Sequence, residues 1–285
     1  MSAIGTDFFM TVSLVTYRHS LSQVRPVVEA VAKSACVEKF YVVDNSGDGP
    51  LRGELAAEFP EIEYIPLDNP GFGAAHNAAM RRAMERGATL HAIVNPDIDF
   101  KPGTLETIES FFAANADVGL VMPKTVNPDG SMQYNCRLLP TPFDLFARRF
   151  LPRSWIARRT ARYEMHTVDH EKTFDCAYLC GCFMVFRLAC LKEVGLFDER
   201  FFMYPEDIDI SRRVYASRWR ATYFPGATVV HAHEAASYKS WRMTRIHIAN
   251  MIRYFNKWGW FFDRARARAN REVEAAAPRL SSYGR

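Results

Sequence analysis

The sequence predicts an α/β protein with a mostly parallel central sheet flanked by helices and a C-terminal helical extension. Three observations predict it. Short apolar, β-branched runs alternate with helix-length segments from Phe8 to Met122. Several of those runs end in Asp- or Asn-containing turns. Beyond residue 123 the rhythm breaks, and the chain closes on a long aromatic and basic segment. With 285 residues, 48% of them hydrophobic, a sizeable core can form. No internal repeat or low-complexity linker divides the chain, so one continuous domain is expected over 1–240, with 241–285 as an amphipathic helix and tail.

Phe8 to Thr16 reads as a buried strand, and Ser20 to Ser34 as a helix capped by Ser20 or Ser22. Lys39 to Val43 is a second strand, Leu51 to Phe59 a helix and Ile62 to Pro66 a third strand. Gly73 to Arg86 is an Ala-rich helix, followed by a strand over Leu90 to Val94. Pro102 to Ala114 is a helix and Val118 to Met122 a fifth strand. Asn127-Pro128-Asp129-Gly130 is turn chemistry and predicts a hairpin. Asp175 to Phe186 looks strand-like, Ile208 to Ser217 helical, and Thr222 to Phe224 and Thr228 to Val230 extended. Ile246 to Phe262 is the last helix expected, with a frayed tail from about Glu272.

Bulk properties exclude some classes. A formal net charge of +4 is too small, and too dispersed, for a nucleic-acid binder. The apolar runs are broken by charges before the ~20 residues a bilayer crossing needs. Met1 to Asp7 lacks the basic and apolar regions of a signal peptide, so a cytoplasmic setting is expected. The six cysteines are then expected as thiols. Cys176, Cys180 and Cys182 lack the second Cys-x-x-Cys or the His pair of a zinc site.

In open sheets ligands bind beyond the carboxyl ends of the strands, and Thr16, Asp44 and Asp97 sit at such ends. Asp44 in Val-Asp-Asn-Ser suits a nucleoside hydroxyl or base, and equally a turn. Asn69-Pro-Gly-Phe-Gly-Ala-Ala-His-Asn77 offers close backbone approach through Gly71 and Gly73, and helix N–H groups for an anion, but matches neither a dinucleotide fingerprint nor a P-loop. Asn95-Pro-Asp97-Ile-Asp99 places two carboxylates for a hard divalent cation, although Asp99 is also a fair helix cap. Tyr204-Pro-Glu206-Asp207-Ile-Asp209 crowds three carboxylates at a helix start, with Arg212 and Arg213 in helical reach. One tuned carboxylate there would serve as a general base. His231-Ala-His233-Glu234 follows a strand, and one imidazole would complete a metal site.

As an ordered set these motifs, with Val15-Thr16-Tyr17, Cys180-Gly181, Gly195-Leu-Phe-Asp198-Glu and Phe201-Phe-Met-Tyr204, resemble the inverting family 2 glycosyltransferases with the GT-A fold, from Val12 to Ser237. The subgroup it looks most like is the bacterial rhamnosyltransferases of O-antigen, capsule and cell-wall assembly. The resemblance implies that Thr16, Tyr17, Asp44, Asn45, Asn69, Gly71, Phe72, Gly73, Asn77 and Asn95 bind a nucleotide-sugar donor. It implies a divalent metal, manganese or magnesium, on Asp97, Asp99 and His231, with Asn95 in place of the first carboxylate of an Asp-x-Asp. Asp207 would be the base with Glu206 beside it, and Gly181 would leave space for the sugar or acceptor.

The acceptor would be a saccharide, free or linked to a lipid diphosphate. Phe143 to Tyr163, with Phe146, Arg148, Arg149 and Phe150 among its residues, and Trp241 to Arg271 are basic and aromatic. They suit peripheral contact with an anionic membrane on its inner face, packing of the aromatics on the core, or a homodimer interface. A nucleotidyltransferase or a non-catalytic nucleotide-sugar-binding protein are the other readings of the loops.

Overall fold

The computed structural model describes residues 8–145, 151–232 and 241–280, and of Arg153 and Arg242 only the backbone. Phe146, Arg148, Arg149, Phe150, His233 and Glu234 lie outside the described residues.

Strand β1 (Met10–Thr16) is buried along its whole length and lies between β2 and β4 in the sheet. Helix α1 (Leu21–Ala32) follows, its start fixed by Gln23, whose side chain accepts from the Ser20 N–H at 2.9 Å. Then come β2 (Val37–Asp44), α2 (Leu51–Glu58), β3 (Glu63–Pro66), α3 (Phe72–Glu85) and β4 (Leu90–Val94). These alternations appear where the apolar runs predict them. The next elements are β5 (Ile98–Phe100), α4 (Thr104–Ala114), β6 (Val118–Val126), β7 (Cys136–Arg137) and α5 (Arg153–Tyr163). The chain continues through β8 (Phe174–Asp175), β9 (Tyr178–Leu179), β10 (Phe183–Arg187), α6 (Leu188–Val194), α7 (Glu206–Tyr215) and β11 (Arg220–His231). It ends in α8 (Trp241–Trp258) and α9 (Arg264–Ala276).

The main sheet runs β3-β2-β1-β4-β10-β6-β11-β5, with β8 also on β11. β3, β2, β1, β4, β6 and β11 point one way, while β10, β5 and β8 run against them. Side chains alternate across the sheet, so each face has its own core. Phe40 and Val42 of β2 pack with α1, α2 and α4, and Tyr41 and Val43 with α3, α6, α7, α8 and α9. β10 opens beside the end of β4 and brings residues 180–182 to the same edge of the sheet as Thr16, Asp44 and Asn95.

Four expectations are corrected. The apolar stretch at 175–186 is three short strands, because β9 leaves the main sheet to pair with β7 and a turn at Gly181-Cys182 leads back into it at β10. Asp99 caps no helix: it lies in β5, paired with Val230, and α4 starts behind Gly103. The last helix stops at Trp258, where Gly259 takes φ 102°, and α9 follows. The tail is not frayed from Glu272: Val273 and Ala277 are buried in the core, and the Leu280 N–H donates to Thr167 O at 3.1 Å.

Candidate active site

The parallel strands deliver their ends to one rim. A cleft of ≈ 450 Å³ opens there, lined by Tyr17, Arg18, Asn45, Ser46, Asp68, Asn69 and Phe202. Its floor is tied together by the backbone, with the Asn45 N–H on Thr16 O at 2.8 Å and the Leu67 N–H on Asp44 O at 2.9 Å. Tyr17 is half exposed, with the Arg18 guanidinium 5.1 Å from its ring centre. The Thr16 hydroxyl and the Asn45 side-chain oxygen are buried without a partner. Buried polar atoms of native proteins are nearly always paired, so the orphaned oxygen of Asn45, which lines the cleft, is a candidate contact for a ligand.

Asp44 lies beneath the cleft rather than in its wall. Its carboxylate accepts from Tyr64 Oη at 2.7 Å and from the Ser46 N–H at 2.9 Å, which holds the loop in shape. Gly71 has φ 107°, and a Cβ there would stand 2.3 Å from Phe202 O, the acceptor of the Phe72 N–H at 2.8 Å. The glycine loop is thus pressed against Phe202. A Cβ on Gly73 would stand 2.9 Å from Phe197 Cβ. Asn77 does not face the cleft: its amide nitrogen donates to Phe197 O and Glu199 at 2.9 Å each, and its oxygen accepts from the Phe197 N–H.

Asp97 and His231 come together at the next pair of strand ends. Asp97 Oδ2 lies 3.3 Å from His231 Nε2, and the Ala232 N–H donates to Asp97 O at 2.9 Å. Gln133 holds the imidazole: its Oε1 is 2.9 Å from His231 Nδ1, and its Nε2 donates to His231 O at 2.8 Å. Asn95 Oδ1 is buried and unpaired close by in sequence. Asp99 is exposed on the edge strand, in register with Val230. Among the described residues no cluster of three or more His, Cys, Asp or Glu side chains is arranged to hold a metal. The pair nevertheless fits manganese or magnesium. One carboxylate and one imidazole suffice for an ion that takes its remaining ligands from water and a diphosphate.

The Asn95 N–H donates to Cys182 O at 3.0 Å, which joins this pair to the carboxylates at the start of α7. Asp207 Oδ2 accepts from the Gly181 N–H at 3.1 Å and Tyr178 Oη at 3.2 Å, and Oδ1 from the Ile208 N–H at 2.8 Å. Burial raises the Asp207 carboxyl above its ordinary value, and the Gly181 and Ile208 N–H groups work against that rise. A Cβ on Gly181 would lie 3.0 Å from Asp207 Cβ. The room Gly181 leaves is therefore filled by Asp207 rather than by a ligand. Glu206 is 4% exposed, with Oε2 unpaired, and burial followed by the Asp207 charge pushes it well above the carboxylate range. It is a buried neighbour of Asp207, not a second carboxylate open to solvent. Asp209 is structural: Arg213 Nε (2.9 Å), Lys257 Nζ (2.6 Å) and Trp258 Nε1 (2.7 Å) surround it. Arg212 pairs elsewhere, with Asp263.

Tyr178, Gln133, Arg18 and Asp68 complete this rim without having been singled out for the site from the sequence. The signal for Tyr178 was its place three residues before Gly181. Gln133 had none beyond following a predicted hairpin.

Comparison with known proteins matches residues 11–248 to the profile of the glycosyltransferase-like family 2. N-acetylglucosaminyl-diphospho-decaprenol L-rhamnosyltransferase of Mycobacterium tuberculosis is 26% identical over 210 residues, 69% of this chain and 66% of its own length. Rhamnosyltransferase WbbL of Escherichia coli K12 is 24% identical over 223 residues, 76% of this chain and 81% of its own. Among solved structures, GalNAc-T7 with UDP, GalNAc and Mn2+ superposes with TM-score 0.63 at 13% identity, over 90% of this chain and 49% of that one. The mannosyltransferase PcManGT of Pyrobaculum calidifontis, with GDP-Man and Mn2+, gives TM-score 0.56 at 18% identity, over 86% of this chain and 64% of that one. The two structures share the GT-A architecture described above.

Proposed function

Because the chain belongs to the glycosyltransferase-like family 2, we propose that it moves a sugar by single displacement onto an acceptor hydroxyl at Asp207, with the donor nucleotide in the Tyr17–Phe202 cleft. The observation that carries this reading is the set of three donors on Asp207, at the rim where the strand ends meet. Burial makes the carboxylate a stronger base than in water, while the donors keep it oriented and anionic. It takes the acceptor proton; the acceptor oxygen bonds the anomeric carbon; the bond from that carbon to the diphosphate oxygen breaks; and the configuration inverts. Thr16, Asn45 and Asn69 are suited to the nucleoside and its sugar. Asp97 and His231 would hold the divalent metal, with Asp99 the weaker candidate. When bound, it supplies positive charge against the departing diphosphate.

Asp207→Asn is expected to lower turnover by ~10³-fold or more, while donor binding by calorimetry stays within a factor of a few. Turnover close to wild type would refute the base.

The donor we favour is dTDP-rhamnose, supported by the rhamnosyltransferases among the relatives. The acceptor we favour is a saccharide on a lipid diphosphate, in line with the printed name of the mycobacterial relative. This sets the reaction at the cytoplasmic face of a membrane, and among the described residues no helix is long and apolar enough to cross one. Thermal-shift measurements across nucleotide sugars, with and without Mn2+, test the donor. Stabilisation by a UDP-sugar in preference to dTDP-rhamnose would overturn it.

A further inference from the structure

We propose that the turn between α8 and α9, carrying Phe261 and Phe262, is a docking surface for an anionic lipid bilayer. Phe262 is 99% exposed and Phe261 76%. The other aromatics of this region behave differently: Tyr254 and Phe255 are fully buried, and Trp258 and Trp260 pack against the same core. The two phenylalanines are thus set apart from the rings at 254–260, whereas Trp241, 86% exposed, stands at the far end of α8.

The backbone beneath them is fixed. The Gly259 N–H donates to Phe255 O at 2.7 Å. Asp263 caps α9 by accepting from the Arg266 N–H at 2.9 Å, and it binds the buried Arg212 guanidinium at 2.6 and 2.8 Å. The Arg266 guanidinium, itself buried, donates to Trp260 O (3.2 Å), Phe261 O (3.4 Å) and Pro140 O (3.3 Å). A turn anchored from below holds its rings outward, where the hydrophobic effect otherwise disfavours them.

The surroundings select the occupant. Arg264, Arg268 and Arg271 are exposed on α9, and Arg158, Arg159 and Arg162 on α5. Arg162 ties the two helices through Glu274 at 2.6 Å. Phe143, half exposed, lies under Arg159 at 4.5 Å. Asp144, Glu272 and Glu274 are each taken by an arginine, and Arg158, Arg264 and Arg271 have no ion-pair partner among the described residues. Uncompensated arginines around solvent-facing aromatic rings match anionic headgroups over an apolar layer. The Asp263–Arg212 pair joins this turn to α7, so a bilayer docked here stands in fixed relation to Asp207. The purpose of such docking rests on the lipid-linked acceptor proposed above; its test does not.

The full chain is sedimented with phosphatidylcholine vesicles, with and without phosphatidylglycerol, at low and high salt. Binding is expected only with the anionic lipid, to weaken with salt, and to fall by roughly tenfold or more in the Phe261→Ser/Phe262→Ser variant. That variant should keep its melting temperature and its shift by nucleotide sugars. A missing shift in both proteins would count against the donor reading and leave this one standing. Absence of binding at low salt, equal binding of the double variant, or its conversion from dimer to monomer in sedimentation equilibrium would each overturn the proposal.

Discussion

Gln133 contacts His231 twice, at the ring and at the backbone, although the two are far apart in sequence. With Oε1 placed to accept from an Nδ1–H, Nε2 is left to coordinate a metal shared with Asp97 when one is bound. Gln133→Leu is expected to weaken Mn2+ binding by roughly 10–100-fold, while Gln133→Glu, which also accepts from Nδ1–H, retains it. Paramagnetic resonance of free Mn2+ during titration measures this, and equal affinity in the leucine variant would refute it. Glu206 gives a second test. Its folded-state carboxyl is raised, so the folded state keeps a proton that the unfolded chain releases above about pH 4.3. The unfolded state is therefore favoured progressively as pH rises through that window toward the folded value. Glu206→Gln should gain melting temperature over wild type at pH 8 and lose that advantage near pH 4; a pH-independent difference would refute it. Asp97, His231 and Asp207 were legible in the sequence because each lies at the end or start of a regular element. Tyr178 and Gln133 were not, because only tertiary packing carries them to those ends.

Gly181 and Asp263 show how elements seat the candidate site. Gly181→Ala places a Cβ 3.0 Å from Asp207 Cβ, so the carboxylate has to give by a few tenths of an ångström. Turnover should fall by roughly 10- to 100-fold with donor affinity unchanged, as expected when only the positioning of the reacting groups is lost. Loss of donor affinity in parallel with turnover would argue against this. At the other end of α7, Asp263→Ala leaves Arg212 charged and buried among apolar neighbours, at a cost of ~3–5 kcal/mol. Urea unfolding should show this as a lower midpoint with little change in slope. The elements themselves were partly legible. Long periodic runs such as α3 and β1 stand where expected. β5, β8, β9 and α6 do not announce themselves, because two- to seven-residue elements hold too few positions for a period to show. The α8–α9 break was hidden by aromatic residues running on either side of Gly259.

At the scale of the molecule, βα alternation predicts the parallel half of the sheet but not the reversed β10. That strand is fixed by pairing with β4 and β6 on either side, a long-range choice that no local pattern encodes. The C-terminal helices also belong to the whole: Tyr254, Phe255, Val273 and Ala277 fill one of its two cores. Ending the chain after residue 263 should therefore abolish cooperative unfolding rather than trim a loose tail, which circular dichroism on heating would show. A sharp, wild-type transition would refute it. The cleft is built by residues 17–69 with Phe202, and the proposed base and its partners by residues 178–208, with the Asn95 N–H to Cys182 O bond as their seam. Such a division lets a lineage change what it takes and where it puts it by separate mutations. A hybrid gene carrying a relative's first hundred or so residues should inherit that relative's donor while keeping its own acceptor, and product analysis of one such hybrid would reveal whether the two choices are independent.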